Sequence, residues 1–330
     1  MLNQSALSSL NKGDPVDHFL LVGKAEIRLT RNQKEYLFLE LSDKSTSLIA
    51  YMWDSFESVY QKIRTGAIVK VTGSMDDFQG TLQIRISSLR AANESDNVDI
   101  TDFQSKSKHD PDKMQTELFD RIEKLSNPHL KTLMKNIFAG DDLKRFSTAP
   151  AGKSWHHGYI HGLLEHTLEI VKICDLVCDI HKELNRDLLI CGALLHDFGK
   201  TEELSYDSAF TYTDKGKLLG HIVIGAMFVN EKINSLKDFP EDLRTCLLHL
   251  ILSHQGKLEY ASPVVPKTVE AIVLYQADEL SAKTNAYKNA VAEVKEETGW
   301  TKFLNLISTE LYSHGLHNSA LPEEPNSLFD

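Results

Sequence analysis

Two hydrophobic periods divide this chain. Near the start, apolar residues come in short runs rich in β-branched and aromatic side chains, over 18–22, 35–41, 47–53, 67–72 and 81–86, each bounded by polar, turn-forming residues. Leu82, Ile84 and Ile86 alternate with Gln83 and Arg85, the period of two that marks a half-buried strand. Beyond about residue 113 the period changes to that of a helix. Amphipathic segments run over 115–125 and 129–138, separated by Asn127-Pro128, and again over 162–180, 188–198 and from 220.

The five runs, a helix expected over 55–63 between the third and fourth, and Gly73 and Gly80 punctuating the last hairpin predict a small closed barrel of the OB-fold type. The expected organisation is multidomain: a flexible N-terminus over 1–14, an all-β OB-fold barrel over 15–92, a linker over 93–113, an all-α domain over 114–317 and a tail over 318–330. The linker is predicted from its Ser, Asp and Lys content.

Composition narrows the class. With 42% hydrophobic and 25% charged residues the chain matches ordinary globular proteins rather than disordered or membrane ones. No apolar run approaches the roughly 18 residues of a membrane span, and the opening lacks the features of a secretory signal, so a cytoplasmic location is expected. Cys174, Cys178, Cys191 and Cys246 fall in apolar helical patterns without metal-type spacing and read as free core thiols. A formal net charge of −11 disfavours indiscriminate duplex binding. The first 90 residues carry 11 Lys and Arg against 10 Asp and Glu, or +1, leaving −12 for the rest.

Within the helical part, polar residues stand where apolar ones are expected. The run from Leu188 ends in His196 and Asp197, followed by Gly199, a helix stop, and Lys200. Gly192 and Ala193, one turn earlier, let another helix come close. His166 shares a face with Ile170, Ile173 and Val177, and His221 begins an apolar segment. His254 follows Leu247, Leu250 and Ile251 on an inner face, unlike His249, and Asp278 is flanked by Ala271, Leu274 and Ala282. Any one of these reads as a core histidine or a capping aspartate. Together they would leave several buried polar groups unsatisfied, which one shared metal centre resolves. Imidazole and carboxylate without thiolate suit Mn²⁺ first, with Co²⁺, Fe²⁺ or Mg²⁺ admissible, over a structural Zn²⁺.

The ordered phrases Gly162-Leu-Leu-Glu-His-Thr167, Leu194-Leu-His-Asp-Phe-Gly-Lys200, Gly220-His221, Leu252-Ser-His-Gln-Gly256 and Gln276-Ala-Asp-Glu-Leu280 resemble the HD-domain metal-dependent phosphohydrolases. With the barrel ahead of them they resemble the YhaM-like 3′-to-5′ exoribonucleases, which join an OB-fold to an HD domain. The resemblance runs from about Val16 to about Asn318. It departs at Gln255, where such proteins often carry a second histidine, and at His161, commonly a small residue.

The resemblance implies two ions per site, with His166, His196 and Asp278 on one, His221 and His254 on the other, and Asp197 bridging. Lys200 would act with Asp197 in catalysis by pairing with a phosphate oxygen. His156 and His157, near Lys153 and Trp155, would contact phosphate. On the barrel, Arg28, Arg31, Lys34, Tyr36, Phe38, Tyr51, Trp53, Phe78 and Arg85 are the candidates for binding single-stranded RNA or DNA. The implied activity is 3′-to-5′ hydrolysis to nucleoside 5′-monophosphates, with homo-oligomers expected. The alternatives are a nucleotide or cyclic-dinucleotide phosphohydrolase, and a non-catalytic regulator that binds single strands.

Overall fold

The computed structural model describes residues 4–78, 80–152, 157–205, 210–292, 294, 299–304 and 307–314. The chain divides into two compact units, Met1–Lys106 with Ser205–Thr211 and Ser107–Leu204 with Tyr212–Asp330.

The first unit is built on strands β1 (Pro15–Leu29), β2 (Glu35–Ser42), β3 (Ser47–Met52), β4 (Ile68–Phe78) and β5 (Thr81–Ala91), closed in the order β1-β2-β3-β5-β4. β1 serves two neighbours, pairing with β4 through its first half and with β2 through its second. A register shift between Val22 and Lys24 bends it from one to the other. Closure comes from a parallel pairing of β3 with β5, where Tyr51 lies opposite Arg85. Alternation fills the interior: Leu20, Val22, Leu37, Leu39, Leu41, Ala50, Val69, Val71 and Ile84 are all fully buried. This is the OB-fold that the five runs predict. Helix α1 (Glu57–Tyr60) is shorter than the expected 55–63, but Phe56 and Ile63 on either side are buried in the barrel core.

Both margins of the barrel differ from expectation. Within the opening segment, expected as a flexible extension, the described residues include a packed anchor: Leu7 is buried in the barrel core and its N–H donates to Asp43 Oδ2 at 2.8 Å. The segment after β5, expected as a linker, folds into two short turns closed by reciprocal Asn93–Asp96 and Asp99–Asp102 caps. Phe103 is then buried with Leu21, beside Phe19, Ile68, Val98 and Ile100. A polar majority masked these few apolar anchors.

The second unit contains α2 (Pro111–Glu123), α3 (Pro128–Ile137), α4 (Gly140–Thr148), α5 (Gly162–Ile180), α6 (Arg186–Leu195), α7 (Lys200–Glu203), α8 (Asp214–Asn234), α9 (Glu241–Ser253) and α10 (Val269–Ala292). Asp110, Asn127, Asn185 and Thr213 cap α2, α3, α6 and α8 by accepting first-turn N–H groups. The apolar α6 lies against α5, α9 and α10. A Cβ at Gly192 would come within 2.3 Å of the Leu250 side chain, so this glycine permits the close α6–α9 approach anticipated there. Among the described residues no helix is long and apolar enough to cross a membrane.

Candidate metal centre

Three helices, α5, α8 and α10, and the turns that follow α6 and α9 bring six ligand-type side chains to one buried point. His166, His196 and His254 are fully buried, Asp197 and Asp278 nearly so, and the His221 side chain keeps 18% exposure. The geometry begins with helix ends. α6 stops at Leu195, three residues earlier than the expected 198, so that His196 to Gly199 form a turn. α9 stops at Ser253, immediately before His254.

A helix C-terminus leaves carbonyls without intrahelical partners. His196 Nδ1 donates to the Ala193 carbonyl at 2.8 Å, and His254 Nδ1 to that of Ile251 at 2.7 Å. Because a carbonyl only accepts, each Nδ1 carries the proton and each Nε2 presents a lone pair.

His221 reaches the same tautomer differently. Gly220, at φ 70°, breaks α8 one residue before it, and the restarted helix offers the His221 N–H to Glu203 Oε1 at 3.0 Å. His221 Nδ1 lies 3.1 Å from that oxygen. Gly199 completes the approach, since a Cβ there would stand 2.0 Å from the His221 carbonyl oxygen.

The two oxygens of Asp197 divide the set. Oδ2 lies 3.3 Å from His196 Nε2 and 3.6 Å from His166 Nε2, which is itself 3.2 Å from Asp278 Oδ1. Oδ1 lies 3.3 Å from His221 Nε2 and 3.6 Å from His254 Nε2. Lys200 Nζ is 2.6 Å from Oδ2. His249 is turned away, accepting the Lys267 N–H at 2.9 Å. Gln255 lies beside the second group, its Nε2 3.4 Å from His254 Nε2. His161 makes no contact of this kind: its Nδ1 donates to the Ser147 carbonyl at 2.6 Å at the start of α5.

Burial opposes ionisation of Asp197, but the Lys200 ammonium and His196 hold its carboxyl well below the usual range. Asp278 is likewise held low against burial, by a hydrogen bond from His166 and the nearby His196. Burial pushes His166 and His254 down, towards the neutral form. Burial disfavours charge on His196 as well, but Asp197 and Asp278 outweigh it and raise its pKa. Three carboxylates, those of Asp197, Asp278 and Glu203, thus face the Lys200 ammonium, with the His196 imidazole drawn towards charge. His196 Nε2, His221 Nε2 and Asp197 Oδ1 are buried without hydrogen-bond partners, an arrangement costly in a low-dielectric interior. His166/His196/Asp197 and Asp197/His221/His254 each place their donor atoms within 4.8 Å of one another. Divalent cations fit both groups in charge and donor type.

A neighbouring cluster escaped sequence reasoning. His157, expected to face phosphate, is instead buried between Glu165 and Glu169 on α5, with Nε2 3.2 Å from Glu169 Oε2 and Nδ1 3.5 Å from Glu165 Oε1. Burial disfavours its charge, but these two carboxylates outweigh that and lift its pKa to about 9. The signal was legible in principle: Glu165 and Glu169 are acidic residues four apart in an apolar helix, astride an inward histidine. Glu203, which anchors His221, was also missed. His156, Lys153 and Trp155 lie outside the described residues.

On the barrel, Tyr36, Phe38, Tyr51 and Trp53 gather on one outer face of β2 and β3 and the residue after it. Tyr36 and Trp53 ring centroids are 4.9 Å apart, and Tyr51 and Trp53 stack at 6.1 Å. The Arg28 guanidinium covers the Phe38 ring at 3.5 Å, and exposed Arg85 neighbours Tyr51 across β5. Phe38 is itself buried and so supports the face rather than presenting a ring. Lys34 pairs with Asp54 at 2.9 Å. Arg31 is exposed in the β1–β2 turn, and Phe78 is 61% exposed at the end of β4, in the separate β4–β5 hairpin.

Comparison with known families agrees with this architecture. The HD domain matches residues 163–283, and the OB-fold nucleic acid binding domain matches residues 24–92. Among solved structures, the chain is similar to the second OB-fold domain of replication protein A from Methanococcus maripaludis, at 16% identity over 27% of this chain and 94% of that one, with a TM-score of 0.23. It is also similar to a replication protein A heterotrimer bound to ssDNA, at 18% identity over 28% of this chain and 66% of that one, with a TM-score of 0.22. The chain thus joins an N-terminal OB-fold barrel to a helical HD domain, and the HD domain indicates a metal-dependent phosphohydrolase.

Proposed function

We propose that this protein is a metal-dependent exonuclease that shortens single-stranded RNA, and DNA as a second substrate, from the 3′ end to nucleoside 5′-monophosphates. The observation that carries the reading is Asp197, whose two oxygens each face a separate pair of imidazole nitrogens, His166 and His196 on one side and His221 and His254 on the other. His166, His196 and Asp278 would hold one ion, His221 and His254 the other, and Asp197 both. Divalent ions so held would supply an activated hydroxide and positive charge for the phosphoryl oxygens.

The chain's own residues do the rest. Ala193, Ile251 and Glu203 keep the Nδ1 protons in place, so that three imidazoles face inward in one tautomer. Lys200, held against Asp197, places a positive charge beside the reacting phosphate. Tyr36, Tyr51 and Trp53 offer π-faces to successive bases without regard to sequence, and Arg28 and Arg85 offer charge to the backbone.

Hydrolysis of a 5′-labelled single-stranded RNA with Mn²⁺, by the parent and by Asp197→Ala, tests this. A ladder shortening from the 3′ end with the parent alone is expected. RNA bound but left intact by both proteins under Mn²⁺, Co²⁺ and Mg²⁺ overturns it.

A further inference from the structure

The cluster beside the centre lies one turn from two of the six ligand-type residues, and the His157 ring stands 5.5 Å from that of His166. Glu169 follows His166 by three residues on α5, and Ser281 follows Asp278 by three on α10, so each pair shares a helix face. His166 and Asp278 meet at 3.2 Å, and one turn on Ser281 Oγ donates to Glu169 Oε2 at 2.9 Å. The same Glu169 oxygen faces His157 Nε2 at 3.2 Å. The other edge of the His157 ring is fixed too, with Nδ1 2.7 Å from the Tyr159 hydroxyl. The His157 backbone sits at φ 52°, and its carbonyl abuts Gly162 at the first turn of α5, where a Cβ would stand 2.0 Å away.

We propose that His157, Glu169 and Ser281 form a positioning clamp that sets the spacing of His166 and Asp278, and thereby the affinity of one metal position. The inference rests on the metal-centre reading. Apolar packing between α5 and α10 holds the helices together but is non-directional. A hydrogen bond of normal length between a buried serine and a half-buried glutamate is directional. Because the clamp lies on α5 and α10, it governs the His166/His196/Asp278 side and leaves the His221/His254 side alone.

The test is Mn²⁺ titration of the full chain by calorimetry, with the Mn²⁺ electron paramagnetic resonance spectrum as a second readout. The parent binds two ions. Ser281→Ala and Glu169→Ala weaken one ion by about 10- to 100-fold, the usual effect of losing an outer-sphere partner, and leave the other at parental affinity. Ser281→Thr, which keeps the hydroxyl, restores most of the loss, a rescue that general loosening of the fold does not give. Two ions at parental affinity in both Ala variants, or equal weakening of both ions, overturns the clamp. A parent that binds no Mn²⁺ overturns the metal-centre reading itself, and the clamp with it.

Discussion

The barrel and the helical unit treat charge in opposite ways. On the barrel, charges stay near the surface and are balanced nearby: Glu26 takes Lys24 and Arg28 at 2.8 Å, Lys34 takes Asp54, Lys70 takes Asp17 at 3.0 Å and Arg90 takes Asp96 at 2.7 Å. Such pairs contribute little to stability and leave the fold to its apolar interior. In the helical unit, Asp197, Asp278 and Glu203 are buried against a single Lys200, and donor atoms are left without partners. A fold tolerates that imbalance only where something else completes it, and this contrast is what singles out the unbalanced region as the proposed reaction centre and the balanced one as the proposed binding surface.

The contrast predicts effects of unequal size. Asp197→Asn, which serves both metal groups, should lower RNA hydrolysis by roughly 10³-fold while leaving RNA binding intact, measured by single-turnover assay and fluorescence anisotropy. Chelation of divalent metal should do the same and be reversed by Mn²⁺. Phe103→Ala should cost about 3–5 kcal/mol of barrel stability in urea without changing Mn²⁺ binding, because Phe103 belongs to the barrel unit. An unchanged urea midpoint would return residues 93–106 to the status of a linker.

Trp53→Ala and Tyr36→Ala should each weaken RNA binding by about 1–3 kcal/mol, the worth of a base stacked on an aromatic ring, with kcat unmoved. A fall in kcat at saturating RNA would deny the barrel a pure binding role. The smallest effect concerns acid. Arg90 and the Asn93 backbone hold Asp96 at about 2, below its ordinary 3.8. Its contribution is therefore present above pH 3.8 and lost as pH falls through 2. Between those values the parent should lose slightly more stability than Asp96→Asn.

How much was legible follows the same division. The barrel could be read because period-two burial is a local rule: Leu82, Ile84 and Ile86 declare their face to any reader. The six ligand-type residues could be singled out because each stands within or at the end of an apolar helical stripe, as His166 does before Ile170 and Ile173. The margins were hidden for the opposite reason, since Leu7 and Phe103 are lone apolar anchors in polar text. Glu203 and Ser281 were hidden because their meaning lies in what they touch from another helix, and periodicity carries no such information. His157 was misplaced for a related reason: its loop position suggested exposure, whereas two glutamates of α5 draw it inward.

The central claim is that Asp197 divides one buried centre into two metal positions, and Mn²⁺ stoichiometry tests it most directly. Calorimetric titration should give two ions for the parent, one each for His254→Ala and Asp278→Ala, and none for Asp197→Asn. A single ion in the parent, or two ions surviving in Asp197→Asn, would contradict it.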